Sequence, residues 1–227
     1  MVDSDSNAVL LRSLGRLARG LSALFWGLPV ALIVCAETVR AGWLQPPGLL
    51  PALFATGLPL YGLWQMGHFQ RQERPWRRAL DGATLAGLVN FGLCPFLYWH
   101  NKMPGQPFFS AAVAGLLITS VIFLFNLNVV LKQLGAMLPD ETLRQETRLF
   151  SALNRWLLVL LLLCATLYVA LANDPRLTGI LGDLFVWVHR LGFWILILFA
   201  LLPLAMTLAL IWKTKEVILD SVFGPRQ

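Results

Sequence analysis

Charge is what this sequence has least of. Only 13% of its 227 residues are Asp, Glu, Lys or Arg, against roughly 25% in an ordinary soluble domain. With 57% hydrophobic residues and a mean hydropathy of +0.67, the shortage excludes a disordered chain, which is rich in charge and poor in apolar side chains. It excludes a soluble globular domain as well, because a chain of this size cannot hide that much apolar surface from water. Cysteine and histidine are scarce too, at three each. Cys35, Cys94 and Cys164 sit inside apolar runs with no C-x-x-C and no C-x-x-C-H, which argues against a disulfide framework and against covalently attached haem. There is no H-E-x-x-H, G-x-S-x-G, G-x-x-x-x-G-K-[ST] or G-x-G-x-x-G, so no catalytic centre is expected. Ser110 and Ser120 have no histidine at an obvious matching depth.

What is present is long apolar runs. A helical span needs about 20 mainly apolar residues, with a range of roughly 17–25. The stretches Leu21–Leu44, Leu49–Met66, Leu80–Trp99, Phe108–Leu131, Ala152–Ala172 and Leu191–Trp212 meet it. They are continuous rather than alternating, which selects helices over a barrel. The expected fold is an all-α membrane protein, a bundle of six transmembrane helices. The acidic start (Asp3, Asp5) and the length of the first run speak for a retained span rather than a cleaved signal. The expected division is a cytoplasmic amphipathic segment over 1–20, a membrane domain over 21–212 and a cytoplasmic tail over 213–227.

The net charge of +6 orients the bundle. Arg12, Arg16, Arg19, Arg71, Arg74, Arg77, Arg78, Lys132, Arg144, Arg148, Arg155, Lys213, Lys215 and Arg226 fall on one side, against Arg40, Lys102, Arg176 and Arg190 on the other. The positive-inside bias then places both termini in the cytoplasm and the chain in a cell inner (plasma) membrane. Trp26, Trp64, Trp76, Trp156 and Trp212 near one set of span ends, and Trp43, Tyr98, Trp99, Tyr168, Trp187 and Trp194 near the other, match the two aromatic belts. The basic excess calls for anionic phospholipid head groups rather than nucleic acid, with Arg71, Arg74, Arg77 and Arg78 the candidate contact.

Outside the spans, Leu10, Leu14, Leu17 and Leu21 face away from Arg12, Arg16 and Arg19, the pattern of a helix lying on the membrane surface before the chain turns inward. Asp140, after Pro139, is placed to cap a helix that carries the fifth span into the cytoplasm. Residues 177–190 form an interfacial helix or extend the last span.

Small and polar residues in spans are the adhesive between helices in lipid. The third span offers Ala83, Gly87, Asn90 and Cys94, and the fourth Ala111, Gly115, Thr119 and Asn126, at helical spacing. These two spans are expected to pack closely, with Asn90 bonded near Thr119. Glu37 is an acidic residue well inside a span, and Arg40 stands three residues on, the spacing of a neutralised pair. Glu37, Arg40, Asn90, Thr119 and Asn126 make up the candidate intramembrane polar site. His100 and His189 lie near the same interface and are the candidate ligands of a haem b iron, although no cofactor is otherwise called for. The leading expectation is an accessory or structural subunit, acting through a membrane-protein partner or a second copy of itself. A small solute or lipid transporter or channel is the first alternative, and a haem-binding redox subunit the second.

Overall fold

A computed structural model describes residues 2–39, 48–69, 73–103, 105–137, 141–172 and 201–219. Every regular element among them is an α-helix: α1 (Val2–Val39), α2 (Leu50–Met66), α3 (Arg74–Leu93), α4 (Pro95–Lys102), α5 (Pro107–Met137) and α6 (Glu141–Ala172), followed by a helix over residues 201–219. Among the described residues, three stretches are long and apolar enough to cross a membrane: Arg12–Val39, Arg74–Lys102 and Pro107–Met137. The chain is therefore a helical membrane protein.

The leucine stripe at the start of α1 has a different role from the one its pattern suggested. Helix α1 runs unbroken for 38 residues, so no turn separates a surface helix from a first span. Leu17, Leu21, Leu24 and Leu28 are buried in the core with Leu63, Met66 and Trp76. Of the stripe, Leu17 and Leu21 face protein and Leu14 is partly buried against the same core, whereas the Leu10 side chain lies outside the described residues. Arg, Leu and Ala between residues 10 and 19 favour helix, and packing on α2 offsets the roughly 1 kcal/mol that Gly15 and Gly20 each cost.

Helix α2 starts after Gly48, whose φ of 69° is open to glycine at little cost. Pro51 lies in its first turn, where a missing N–H is harmless. It runs antiparallel to α1. A Cβ on Gly20 would meet the Gly62 carbonyl oxygen at 2.7 Å, and a Cβ on Gly27 would meet Leu58 and Pro59 at 3.1 Å. Trp76, expected at a lipid interface, is fully buried, and its Nε1–H donates to Phe69 O at 3.1 Å. Its position is set by core packing.

Pro95 divides the third expected span into α3 and α4 around Cys94, because proline removes an N–H and crowds the preceding turn. Helix α5 lies antiparallel to α3, with Gly82 facing Asn126 and Gly87 facing Phe123. The connection expected over 132–151 is nearly all helix: α5 continues to Met137, and α6 resumes at Glu141. Asp140 and residues 177–190 fall outside the described residues. Helix α1 meets the 201–219 helix where the Phe25 and Trp212 rings stand 5.5 Å apart. Toward the C-terminal end of α1, Asn101 Nδ2 donates to Thr38 O at 3.2 Å.

Candidate functional site

Among the described residues, the principal buried polar cluster joins α5, α6 and the 201–219 helix, and it is built from residues that the sequence reading passed over. Asn128, Asn154 and Thr207 are each fully buried. The Asn154 amide is within donating distance of Asn128 Oδ1 (3.0 Å), Thr207 Oγ1 (2.9 Å) and Pro203 O (3.2 Å). The Asn128 amide donates to Leu124 O (2.8 Å) and Thr207 Oγ1 (3.1 Å), and the Thr207 hydroxyl donates to Pro203 O (2.8 Å). Each partner of the Asn154 nitrogen is thus an acceptor, which fixes which way that amide points. Its Oδ1 is buried with no partner.

Local sequence places these groups. On α6, Thr147, Ser151, Asn154, Leu158 and Leu161 are buried at spacings of four, three, four and three residues. On the last helix, Leu204, Thr207, Ile211, Thr214 and Ile218 repeat that alternation. Both are seams of the kind that antiparallel helices interlock along. Asn128 stood at the end of a span and Asn154 at the start of the next, positions where an asparagine passes for a head-group residue. The 3.5-residue period of the buried positions on α6, which separates Asn154 from a head-group residue, is visible only once the packed face is known.

The polar site expected from the sequence is not one site. Asn126 reaches α3, with its Nδ2 donating to Gly82 O at 3.5 Å. Thr119 bonds only its own helix, at Gly115 O and Leu116 O. Asn90 Oδ1 is buried with no partner, so the expected Asn90–Thr119 bond is absent even though α3 and α5 do pack together. The physical reason is rotameric: a helical threonine satisfies itself on the previous turn. Glu37 is half-buried on α1, and Arg40 lies outside the described residues.

Arg74, Arg77 and Arg78 are exposed on the first turns of α3, and Arg71 lies outside the described residues. Arg77 also stands 4.0 Å from Asp81 in an exposed pair. His100 Nδ1 lies 3.5 Å from Ser110 Oγ, so a serine and a histidine do share a depth, contrary to the sequence expectation. His189 falls outside the described residues. Thr56 Oγ1 donates to Cys94 Sγ at 3.5 Å, and no group of three or more His, Cys, Asp or Glu side chains suited to a metal occurs among the described residues. No family model, curated protein or solved structure matches this chain.

Proposed function

We propose that this chain is a polytopic inner-membrane protein of six spans with both termini cytoplasmic, and that it works by assembly, as an accessory subunit holding a membrane-protein partner. The observation that carries this reading is the outer face of α2. Phe54, Leu58, Tyr61 and Trp64 are exposed there at helical spacing, Phe54 by 76% and Trp64 by 61%. Large apolar side chains at i, i+4, i+7 and i+10, three of the four aromatic, are the anchors that a partner helix seats against. The orientation is supported by the basic residues of α1, α3 and α6 and by the positive-inside bias. Purification in mild detergent from the native membrane is expected to bring down one partner in fixed stoichiometry, and Phe54→Ala/Trp64→Ala is expected to release it while the chain stays folded. A chain that purifies alone, or one that keeps its partner after both substitutions, would overturn the reading.

A second reading, a small-solute transporter, draws support from the helix break at Cys94–Pro95 together with the buried, unpartnered Asn90 Oδ1 one turn before it. Interrupted helices with free polar groups are how solute sites are built within a bilayer. In reconstituted vesicles Asn90→Leu and Glu37→Gln would each abolish uptake. Uptake unaffected by either change would remove this version.

A further inference from the structure

One face of α6 carries a succession of buried polar atoms that the observed packing leaves unsatisfied. Arg144 Nε, Thr147 Oγ1, Ser151 Oγ and Asn154 Oδ1 are shielded from solvent and have no hydrogen-bond partner. Spacings of three, four and three residues put them in one line. Among the described residues Asn90 Oδ1 alone shares that condition elsewhere. Helical threonines ordinarily donate to the preceding turn, as Thr119, Thr207 and Thr214 do here. Thr147 and Ser151 do not, so their hydroxyls stay available.

Buried polar groups in folded proteins are almost always paired. Four unpaired in succession call for partners that the observed packing does not supply. We propose that α6 parts from α5 along this line to open a cleft from the Arg144 end, admitting water and small neutral hydrogen-bonding solutes, the structure being its closed state. The far end is sealed by the Asn128–Asn154–Thr207 bonds and by Leu158 and Leu161, all buried. The wall opposite Thr147 is Gly135, which adds no side chain to obstruct the opening.

The order of the groups selects the occupant. Arg144 only donates, Asn154 Oδ1 only accepts, and the two hydroxyls between them do either. A file of water satisfies all four with one consistent direction of hydrogen bonding. Neighbouring groups on such a face stand about 5–6 Å apart, the span of one water making two bonds of roughly 2.8 Å. A cation would face the Arg144 charge, and an anion would face the Asn154 oxygen. This inference goes beyond the assembly reading and does not rest on it.

Ser151 and Leu158 provide a matched test, being equally buried at 1% exposure on the same face of α6. Ser151→Cys and Leu158→Cys are compared for reaction with a small, neutral, water-soluble methanethiosulfonate, with the unsubstituted chain as the blank for Cys35, Cys94 and Cys164. Opening predicts that Ser151→Cys reacts about tenfold faster, since labelling follows the population of the locally open form. Equal rates would overturn the proposal. Adding Thr147→Val removes an unpaired hydroxyl from the closed state, so it should raise the melting temperature and slow the labelling of Ser151→Cys about fivefold. A valine that lowers the melting temperature would show that the hydroxyl is already paired, and would equally overturn it.

Discussion

Where α1 crosses α2 the contact is made of glycine and leucine, and where α6 meets α5 and the 201–219 helix it is made of asparagine and threonine. In both, neighbouring helices run antiparallel, α1 with α2 and α5 with α6. In the first, Gly20 and Gly62 bring two backbones so close that a Cβ on either would lie 2.7–2.8 Å from the other's carbonyl oxygen, with Leu24 and Met66 filling the flanks. In the second, the bonds of Asn154 to Asn128 and Thr207 hold the helices by direction rather than by fit. Lipid chains are as apolar as leucine, so the hydrophobic effect does little for either pair. Shape and polar bonding are the two remaining means, and this chain uses one at each interface. A shape-held interface has a single arrangement, whereas a polar one can exchange its partners for water.

The comparison breaks most visibly at the glycines. Gly62→Leu should cost about 3 kcal/mol in detergent unfolding, the upper part of the usual range for overpacking, because the obstruction is the Gly20 backbone oxygen, which no rotamer change relieves. Gly92→Ala, on an exposed stretch of α3 with nothing within 4 Å, should instead stabilise by up to about 1 kcal/mol through helix propensity. If both substitutions destabilise alike, the close approach of α1 and α2 is not what makes glycine necessary. At the polar interface the expected loss is smaller. Asn154→Leu removes bonds to Asn128, Thr207 and Pro203, yet it also removes an unpaired oxygen, so about 1–2 kcal/mol is expected. A double-mutant cycle of Asn154→Leu with Thr207→Val should return a coupling of about 0.6 kcal/mol. Purely additive losses would mean that the two residues do not act together.

Composition and run length were enough to read the helical membrane class, and the edges of α2 are nearly those its hydropathy marked. The close packing of α3 against α5 was legible in the Gly87 stripe. Four things were not. The unbroken α1 was hidden because an amphipathic leucine stripe looks the same whether it meets lipid head groups or α2. In the 132–151 connection a helix behind Asp140 was legible, but the continuation of α5 to Met137 was not, because the composition there turns polar although nothing breaks a helix until Pro139. Asn128 and Asn154 were missed because their positions near span ends have an ordinary explanation, and only knowing which faces meet removes it. Gly20 and Gly62 are 42 positions apart in sequence, and no local pattern joins them.

The smallest expected effects test whether weaker polar contacts belong to the same scheme. Asn126 bonds Gly82 O at 3.5 Å, the limit of a useful hydrogen bond, so Asn126→Leu should change stability by no more than about 0.5 kcal/mol. The Arg77–Asp81 pair is held at 4.0 Å with both side chains 72% exposed, and solvent and salt screen it. Arg77→Ala should therefore leave the melting temperature where it is. What the substitution should change is retention on vesicles rich in anionic lipid, modestly and only at low salt, because Arg74 and Arg78 remain beside it on the exposed first turns of α3. A clear drop in melting temperature on Arg77→Ala, with lipid retention unaltered, would move this end of α3 from the lipid-facing surface into the helix-to-helix contacts and extend the polar kind of interface to a third place in the bundle.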